Sequence, residues 1–168
     1  MAYQRSQKIK TIKQLTPIIR RLKQEGKIII LTAGVFDLIH YGHIHHFRKS
    51  SRLGDVLIVS IVDDKFVTKG PGRPFFKQNI RLDWLAGLED VDFVVLNNDY
   101  GPHKIMRKIK PHIFTKGDSD KKRFADPNSG IWKDKKVMDE IGGKLVFTKE
   151  LPNQLHSRDI FKLICTRK

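Results

Sequence analysis

Cysteine, acidic side chains and long hydrophobic runs are all scarce in this sequence of 168 residues. Cys165 is the single cysteine, which excludes an intrachain disulfide and a zinc site built from cysteines, and fits a reducing cytoplasm. No apolar run is long enough to cross a bilayer, and the N-terminal residues lack the apolar segment of a secretion signal. The sequence therefore predicts a cytoplasmic protein that does not engage a membrane.

Basic side chains outnumber acidic ones by 33 to 18, so the formal net charge is +15. Such a charge attracts polyanions in general, including nucleotides, phosphosugars and nucleic acid. The basic residues are spread along the chain, and no basic motif interleaved with aromatic residues indicates RNA binding. The GxxxxGK[ST] phosphate-binding loop is also missing. We therefore expect small phosphorylated ligands rather than nucleic acid.

Short apolar runs alternate with segments of helical periodicity along most of the chain. The runs predict strands at residues 28–31, 56–62, 91–96, 112–115 and 144–148, with helices between them. Continuous apolar strands that alternate with helices are typical of a parallel sheet buried on both faces. We therefore predict one Rossmann-like α/β domain, residues 11–168, with a doubly wound parallel sheet of about five strands. Residues 1–10 are predicted to be a flexible tail.

Three segments outside the strands carry weaker signals. The first helix is expected to begin with Thr16 as its N-cap and Pro17 in its first position, because a start at Thr11 would place the proline inside the helix. Residues 116–130 are polar and rich in helix breakers, which predicts a mobile loop. A last helix is expected at residues 159–166.

The strand at residues 28–31 runs directly into the stretch TAGVFDLIHYGH, residues 32–43. Apolar residues then recur at helical spacing, so this stretch is predicted to turn from a strand into a helix that begins near Gly42. A helix N-terminus presents unpaired N–H groups and a partial positive charge, and a glycine has no Cβ to keep an anion away. The turn is therefore predicted to bind a phosphate between His40 and His43.

Three motifs in this part of the chain, Gly34-Val35-Phe36-Asp37, His40-Tyr41-Gly42-His43 and Leu53-Gly54-Asp55, resemble the cytidylyltransferase-like nucleotidyltransferases with their HxGH signature. Within that family the chain is similar to the adenylyltransferase domain of ADP-heptose synthases and to the glycerol-3-phosphate cytidylyltransferases. The resemblance implies that a phosphate oxygen of a small phosphorylated substrate attacks the α-phosphorus of a nucleoside triphosphate, and that pyrophosphate leaves. It also implies Mg²⁺ carried by the triphosphate, with no metal ligands supplied by the protein.

The resemblance assigns roles to residues in four parts of the chain. His40, His43 and Lys69 are expected to be catalytic. The nucleotide is expected to contact these three residues together with Val35, Phe36, Gly42, Arg81, Ser157 and Arg158. The second substrate is expected to contact Asp37, Lys116 and Asp118. For two of these residues a structural role is an open alternative: Asp37 could fix the turn, and Arg81 could pair with a nearby acid such as Asp83.

Two stretches depart from the family pattern. Lys116-Gly117-Asp118 lacks one glycine of the family's Lys-Gly-Gly-Asp-Tyr, which leaves the role of Asp118 open. His156-Ser157-Arg158-Asp159 stands where the family carries a run of serine and threonine residues. Arg158 could contact the phosphate in place of the missing hydroxyls; an impaired site and a different base preference are the open alternatives.

Several functional alternatives follow from these residues. An adenylyltransferase acting on a heptose or another sugar phosphate is favoured, and a glycerol-3-phosphate cytidylyltransferase using CTP is the alternative within the class. A protein that binds nucleotide or nucleic acid without turnover is the alternative from another class. A zinc site at His40, His43 and His46 is disfavoured, because no cysteine or glutamate lies at a suitable spacing. A homodimer is a further expectation. Trp84 or Trp132 could serve its contact, and packing in the core is an equal alternative for both tryptophans.

Overall fold

The structure is a computed structural model that describes residues 6–151 together with Ile160. Its sheet has six parallel strands in the order β1-β4-β3-β2-β5-β6. The strands are β1 (Ile9–Lys10), β2 (Ile29–Gly34), β3 (Val56–Val62), β4 (Phe93–Asn97), β5 (Ile113–Gly117) and β6 (Lys144–Thr148). The predicted class, a Rossmann-like doubly wound sheet in an α/β domain, is confirmed.

Helices cover both faces of this sheet. One face packs against α1 (Ile12–Gln24), α4 (His103–Ile109) and α5 (Gly130–Glu140), and the other against α2 (Tyr41–Ser51) and α3 (Gln78–Ala86). Alternate residues of β2 enter the two cores, since Ile29 and Leu31 lie in the first and Ile30 in the second. Burial on both faces is the reason why the strands have continuous apolar sequences. No helix in residues 6–151 is long and apolar enough to span a membrane.

The strand boundaries confirm the apolar runs and extend some of them. The strands predicted at residues 56–62 and 144–148 have those bounds in the structure. β2, β4 and β5 continue beyond the predicted ends, through Gly34, Asn97 and Gly117. These extra residues are polar or small, so hydropathy does not reveal them, although they pair in the sheet like their apolar neighbours.

Two predictions near the N-terminus differ from the structure. Ile9 and Lys10, assigned to the flexible tail, form a short strand that pairs with Val94 and Val95 of β4. The prediction that α1 begins at Thr16 is wrong, because Thr11 is the N-cap. The Thr11 hydroxyl accepts the Gln14 N–H at 3.3 Å, and the Thr11 N–H donates to the Gln14 side chain at 2.9 Å. This capping box begins the helix five residues before Pro17.

The stretch predicted to be a mobile loop at residues 116–130 also contains regular structure. Its first residues complete β5, and residues Asp118–Ala125 form a 3₁₀ helix. α5 then begins at Gly130, with the Ser129 hydroxyl accepting the Trp132 N–H at 3.3 Å. Short 3₁₀ segments have little hydropathy signal of their own, which is why this one was missed. The helix expected at residues 159–166 lies outside the described residues, apart from Ile160.

Candidate active site

The site lies where the strand order reverses. The chain adds β3 and β4 on one side of β2 and then crosses to add β5 and β6 on the other side. Ligands of such sheets bind outside the carboxyl ends of the strands at this switch point. An open cleft of about 520 Å³ lies there. Seven residues with predicted roles line it: Val35, Phe36, His40, Gly42, His43, Lys69 and Lys116.

The GVFD motif forms a turn that depends on one glycine. Phe36 has a left-handed backbone, with φ at +49°, and its buried ring folds back over Gly34. A Cβ on Gly34 would lie only 2.8 Å from the Phe36 ring, so this position has no room for a side chain. The ring also packs edge-on against His43 and Phe47, at centroid distances of 5.3 and 5.2 Å. Phe36 therefore supports the His43 imidazole from below.

The two histidines of the HxGH motif are adjacent at the start of α2. His40 is the N-cap of the helix, and the ring centroids of His40 and His43 are 3.9 Å apart. The backbone N–H of His40 donates to Nδ1 of His43 at 3.4 Å. A neutral His43 ring that accepts at Nδ1 carries its proton on Nε2, so Nε2 is a hydrogen-bond donor. The predicted pairing of two imidazoles beside a helix N-terminus is present in the structure.

Asp37 is not available to a second substrate, contrary to the prediction. It is buried, its Oδ2 lies 2.8 Å from Nε of Arg73, and its Oδ1 accepts the Phe76 N–H at 3.0 Å. Arg73 and Phe76 belong to the loop that also carries Lys69, and the Arg73 guanidinium covers the Phe75 ring at 4.4 Å. Asp37 therefore has a structural role, but it fixes the Lys69 loop to the signature turn, whereas the alternative considered from the sequence was limited to the turn itself.

Arg81 also has a structural role in place of the predicted contact with nucleotide. Its side chain is fully buried. The guanidinium donates to the carbonyls of Phe76, Val35 and Val62 at 2.9, 2.6 and 2.8 Å, and to the Asp64 carboxylate at 2.7 Å. These acceptors lie in the signature turn, at the end of β3 and in the Lys69 loop. Arg81 therefore connects three segments beneath the cleft without lining it.

The two charged residues of the Lys-Gly-Asp motif at the end of β5 differ in their surroundings. Lys116 lines the cleft, and its ammonium lies 3.3 Å from the Ala33 carbonyl. Asp118 does not line the cleft, because its carboxylate accepts the Glu150 N–H at 3.1 Å. The Glu150 carboxylate in turn accepts the Ser119 hydroxyl at 2.6 Å. Asp118 thus secures the segment after β6, and its contact with the second substrate stays a prediction.

His46 lines the cleft deeper in the structure and is held between two hydroxyls. Its Nε2 lies 2.8 Å from the Thr32 hydroxyl and its Nδ1 lies 2.6 Å from the Thr148 hydroxyl. Burial, followed by the nearby Lys116 and His45, lowers the His46 pKa from 6.5 to about 4. Thr32 donates to the Thr115 carbonyl at 3.1 Å, so it accepts from Nε2–H of a neutral His46. His46 is therefore a neutral, fixed part of the cleft wall.

A second pocket of about 430 Å³ adjoins the cleft. The two share residues 100–102, Lys116, Asp120 and Arg123, and the second pocket is completed by His103, Lys133 and Asp134, among others. This pocket is not evident from the sequence, because its residues come from β5, α4, α5 and the loops before them. The exposed basic residues resemble many others in a lysine-rich chain, so no local pattern identifies them.

The donor set of the described residues suits a metal bound mainly by a nucleotide. Residues 6–151 contain no group of three or more His, Cys, Asp or Glu side chains arranged to hold a metal ion. Asp37, the acid of the signature turn, is engaged by Arg73. Mg²⁺ often needs only one or two carboxylates in addition to phosphate oxygens and water. Ser157 and Arg158, predicted to contact the nucleotide, lie outside the described residues.

Two curated relatives are similar to most of this chain. The bifunctional protein HldE of Desulfatibacillum aliphaticivorans is 35% identical over 162 residues, which are 95% of this chain and 31% of that protein. The bifunctional protein HldE of Nitratiruptor sp. is 38% identical over 138 residues, which are 81% of this chain and 30% of that protein. The chain therefore spans less than a third of the length of these relatives.

One solved structure and one family model also match the chain. The crystal structure of the lipopolysaccharide core biosynthesis protein from Thermoplasma volcanium GSS1 superposes with a TM-score of 0.59 at 28% identity, covering 77% of this chain and 100% of that chain. The family model described as cytidylyltransferase-like matches residues 31–160, which include the signature turn, the Lys69 loop and Lys116. The chain belongs to the cytidylyltransferase-like family.

Proposed function

We propose that the chain is a nucleotidyltransferase that transfers a nucleoside monophosphate, with AMP favoured, from a nucleoside triphosphate to a phosphorylated sugar. One observation carries this proposal: His40, Gly42 and His43 meet Lys69 and Lys116 around a single cleft at the N-terminus of α2. Helix N–H groups, imidazole donors and two ammonium groups are together suited to a polyphosphate. The names of the relatives, HldE and a lipopolysaccharide core biosynthesis protein, support a sugar phosphate as the acceptor.

The reaction needs little covalent assistance from the protein. An oxygen of the acceptor phosphate, already anionic at neutral pH, forms a bond to the α-phosphorus, and the bond from the α-phosphorus to the bridging oxygen breaks. Both electrons of the broken bond leave with pyrophosphate. The protein supplies positioning and charge stabilisation. When bound to the triphosphate, Mg²⁺ would neutralise part of its charge.

Each cleft residue has a distinct part in this proposal. His43, with its proton on Nε2, donates to an oxygen of the phosphate under attack, and His40 donates beside it. Lys69 faces the departing pyrophosphate from its loop, which Asp37 ties to the same turn. Lys116 lines both pockets, so it lies where the acceptor phosphate must approach the nucleotide. The second pocket takes the acceptor.

A pyrophosphate-release assay tests the proposal. The four common nucleoside triphosphates are each combined with a panel of aldose 1-phosphates, heptose phosphates and glycerol 3-phosphate in the presence of Mg²⁺. Release with ATP and a sugar phosphate is the expected result, whereas release only with CTP and glycerol 3-phosphate would support the cytidylyltransferase alternative. Absence of release with every pair, together with tight and salt-sensitive nucleic-acid binding, would contradict the proposal and support the binding-protein alternative.

A further inference from the structure

Asp134 is a buried acid on which a histidine and a lysine of the second pocket converge. It lies in the first half of α5, and 4% of its surface is exposed. Its Oδ1 accepts a hydrogen bond from Nε2 of His103 at 2.9 Å, and its Oδ2 lies 3.8 Å from Nζ of Lys116. One carboxylate therefore joins a side chain at the start of α4 to a side chain in β5.

Lys116 is held in place from three directions. Its ammonium lies near the Asp134 carboxylate, 3.3 Å from the Ala33 carbonyl, and 5.3 Å from the centre of the Phe114 ring. A lysine side chain has four rotatable bonds and is costly to immobilise, so contacts of this number restrict it to one region. That region is the boundary between the two pockets, since Lys116 lines both.

His103 occupies space that a glycine provides. A Cβ on Gly101 would lie 2.9 Å from Cε1 and 3.0 Å from Nδ1 of the His103 ring. The ring therefore lies between Gly101 and Asp134, to which it is hydrogen-bonded. Both residues line the second pocket, so the ring is fixed at its wall.

The charges around the second pocket favour an anion. His103, Lys116, Arg123 and Lys133 line it with the acids Asp99, Asp120 and Asp134. Asp99 pairs at 3.0 Å with Lys104, a residue that does not line the pocket. Asp120 pairs with Arg123 at 3.6 Å. Asp134 is buried beneath its two partners. Lys116, Lys133 and the imidazole of His103 are therefore the groups best placed to meet a phosphate.

We propose that Asp134 is a positioning residue that orients His103 and Lys116 toward the phosphate of the acceptor without touching the acceptor itself. This inference rests on the proposed function, because it assigns the second pocket to the sugar phosphate. It goes further by making acceptor affinity depend on a buried acid outside the HxGH turn. A role limited to joining α4 and α5 is a weaker account, since the Arg107–Glu140 pair at 2.8 Å already joins these helices.

The test compares Asp134→Ala, Asp134→Asn and Gly101→Ala with Asp139→Ala, which removes an exposed acid on the same helix that pairs with Lys135. Calorimetry measures the affinity of the full chain for glucose 1-phosphate, for inorganic phosphate and, separately, for ATP. Loss of a charge-assisted hydrogen bond corresponds to about a tenfold change, so Asp134→Ala should weaken sugar-phosphate binding about tenfold or more. ATP affinity should fall clearly less than sugar-phosphate affinity, since Asp134 does not line the nucleotide cleft and reaches it only through Lys116.

The remaining variants separate positioning from folding. Asp134→Asn retains an acceptor for His103 and should have an intermediate effect. Gly101→Ala displaces the His103 ring with Asp134 intact, and should weaken sugar-phosphate binding even if Asp134→Ala does not fold. In a His103→Ala background the effect of Asp134→Ala should be markedly smaller, because the two residues act together. Where turnover is measurable, KM for the acceptor should rise with little change in KM for the nucleotide.

Three results would overturn the inference: sugar-phosphate affinity in Asp134→Ala equal to that of Asp139→Ala, an equal loss of ATP affinity, or fully additive effects with His103→Ala. Wild-type protein that binds neither glucose 1-phosphate nor inorganic phosphate would also overturn it. The proposed function is judged separately, by pyrophosphate release from the wild-type chain. If the affinity for sugar phosphate depends on Asp134 but the protein releases no pyrophosphate, the proposed function is contradicted and this inference is supported.

Discussion

Oδ2 of Asp37 and Nε of Arg73 lie 2.8 Å apart in a buried ion pair that joins the signature turn to the Lys69 loop. The turn provides the imidazoles and the helix N-terminus, while the loop provides an ammonium group. The position of the turn relative to the loop depends on this contact, although the two side chains are 36 residues apart in the sequence. Neither proposed substrate needs to touch the pair. A buried ion pair therefore sets the position of the Lys69 loop relative to the two imidazoles.

We expect Asp37→Asn to weaken nucleotide binding without removing any group from the cleft. Asparagine can still accept the Phe76 N–H, but the buried Arg73 guanidinium loses its counter-charge. The loop should become less ordered, and KM for the nucleotide should rise about tenfold, equivalent to about 1.4 kcal/mol. Steady-state kinetics against nucleotide concentration measures this change.

Glu25→Gln is the matched control for Asp37→Asn. Glu25 also pairs with an arginine, Arg21, at 2.8 Å, but both side chains are exposed on α1. Exposed pairs contribute little to stability, so this variant should behave as wild type. A nucleotide KM in Asp37→Asn that equals that of Glu25→Gln would show that the ion pair does not set the position of Lys69.

Arg81→Met is expected to lower stability. The substitution leaves the Asp64 carboxylate and three backbone carbonyls without their shared donor. Breaking a buried charged network of this kind costs roughly 3–5 kcal/mol of unfolding free energy, which urea denaturation measures. Arg20→Met, at an exposed position of α1, should cost much less. If Arg81→Lys keeps wild-type stability but loses affinity for nucleotide, Arg81 binds the ligand after all.

The stability of the chain should fall in mild acid because of His46. The His46 pKa in the folded state, about 4, lies below the 6.5 of the unfolded chain. The unfolded state therefore binds more protons as the pH falls through 6.5, and stability is lost between about pH 6.5 and 4. From pH 7 to pH 5 the loss attributable to this group is about 2 kcal/mol.

His46→Gln isolates this contribution. Glutamine can donate to one hydroxyl and accept from the other, but it does not titrate. The unfolding free energy of His46→Gln should therefore fall by about 2 kcal/mol less than that of wild type between pH 7 and pH 5. Burial also lowers the His112 pKa, but that effect is common to both proteins and cancels in the comparison. Equal pH dependence in the two proteins would mean that His46 is protonated as readily in the folded state as in the unfolded state.

Most of the fold and the centre of the site could be predicted from the sequence, because both depend on residues that are neighbours in the chain. Buried parallel strands are continuous apolar runs, so β3 and β6 were found with their observed bounds. The HxGH turn follows β2 directly, so its place at a helix N-terminus also follows from neighbouring residues. The start of α1 at Thr11 was not predicted, because Pro17 favoured a helix that begins after Thr16. The structure instead has a capping box formed by Thr11 and Gln14.

What the sequence could not predict depends on contacts between distant segments. A charged residue can be assigned to ligand binding or to the scaffold only from its partners. Apart from the Phe76 carbonyl, the partners given for Asp37, Arg81 and Asp118 are 17 to 46 residues away in the sequence. The same holds for His103 and Asp134, which are 31 residues apart. A sequence motif can place a charged residue near a site, but it does not show whether the side chain is exposed to the ligand or buried. Its predicted role therefore remained open until the tertiary structure was known.

The measurement that tests the central claim most directly is pyrophosphate release by His43→Ala, with the best pair of substrates from the wild-type panel. The claim is that a triphosphate binds where β2 passes into α2, with the paired imidazoles donating to it. Removing one transition-state donor should lower kcat by at least about a hundredfold, while His45→Ala, two residues along the same helix and outside the cleft lining, should remain close to wild type. Wild-type turnover by folded His43→Ala would contradict the account.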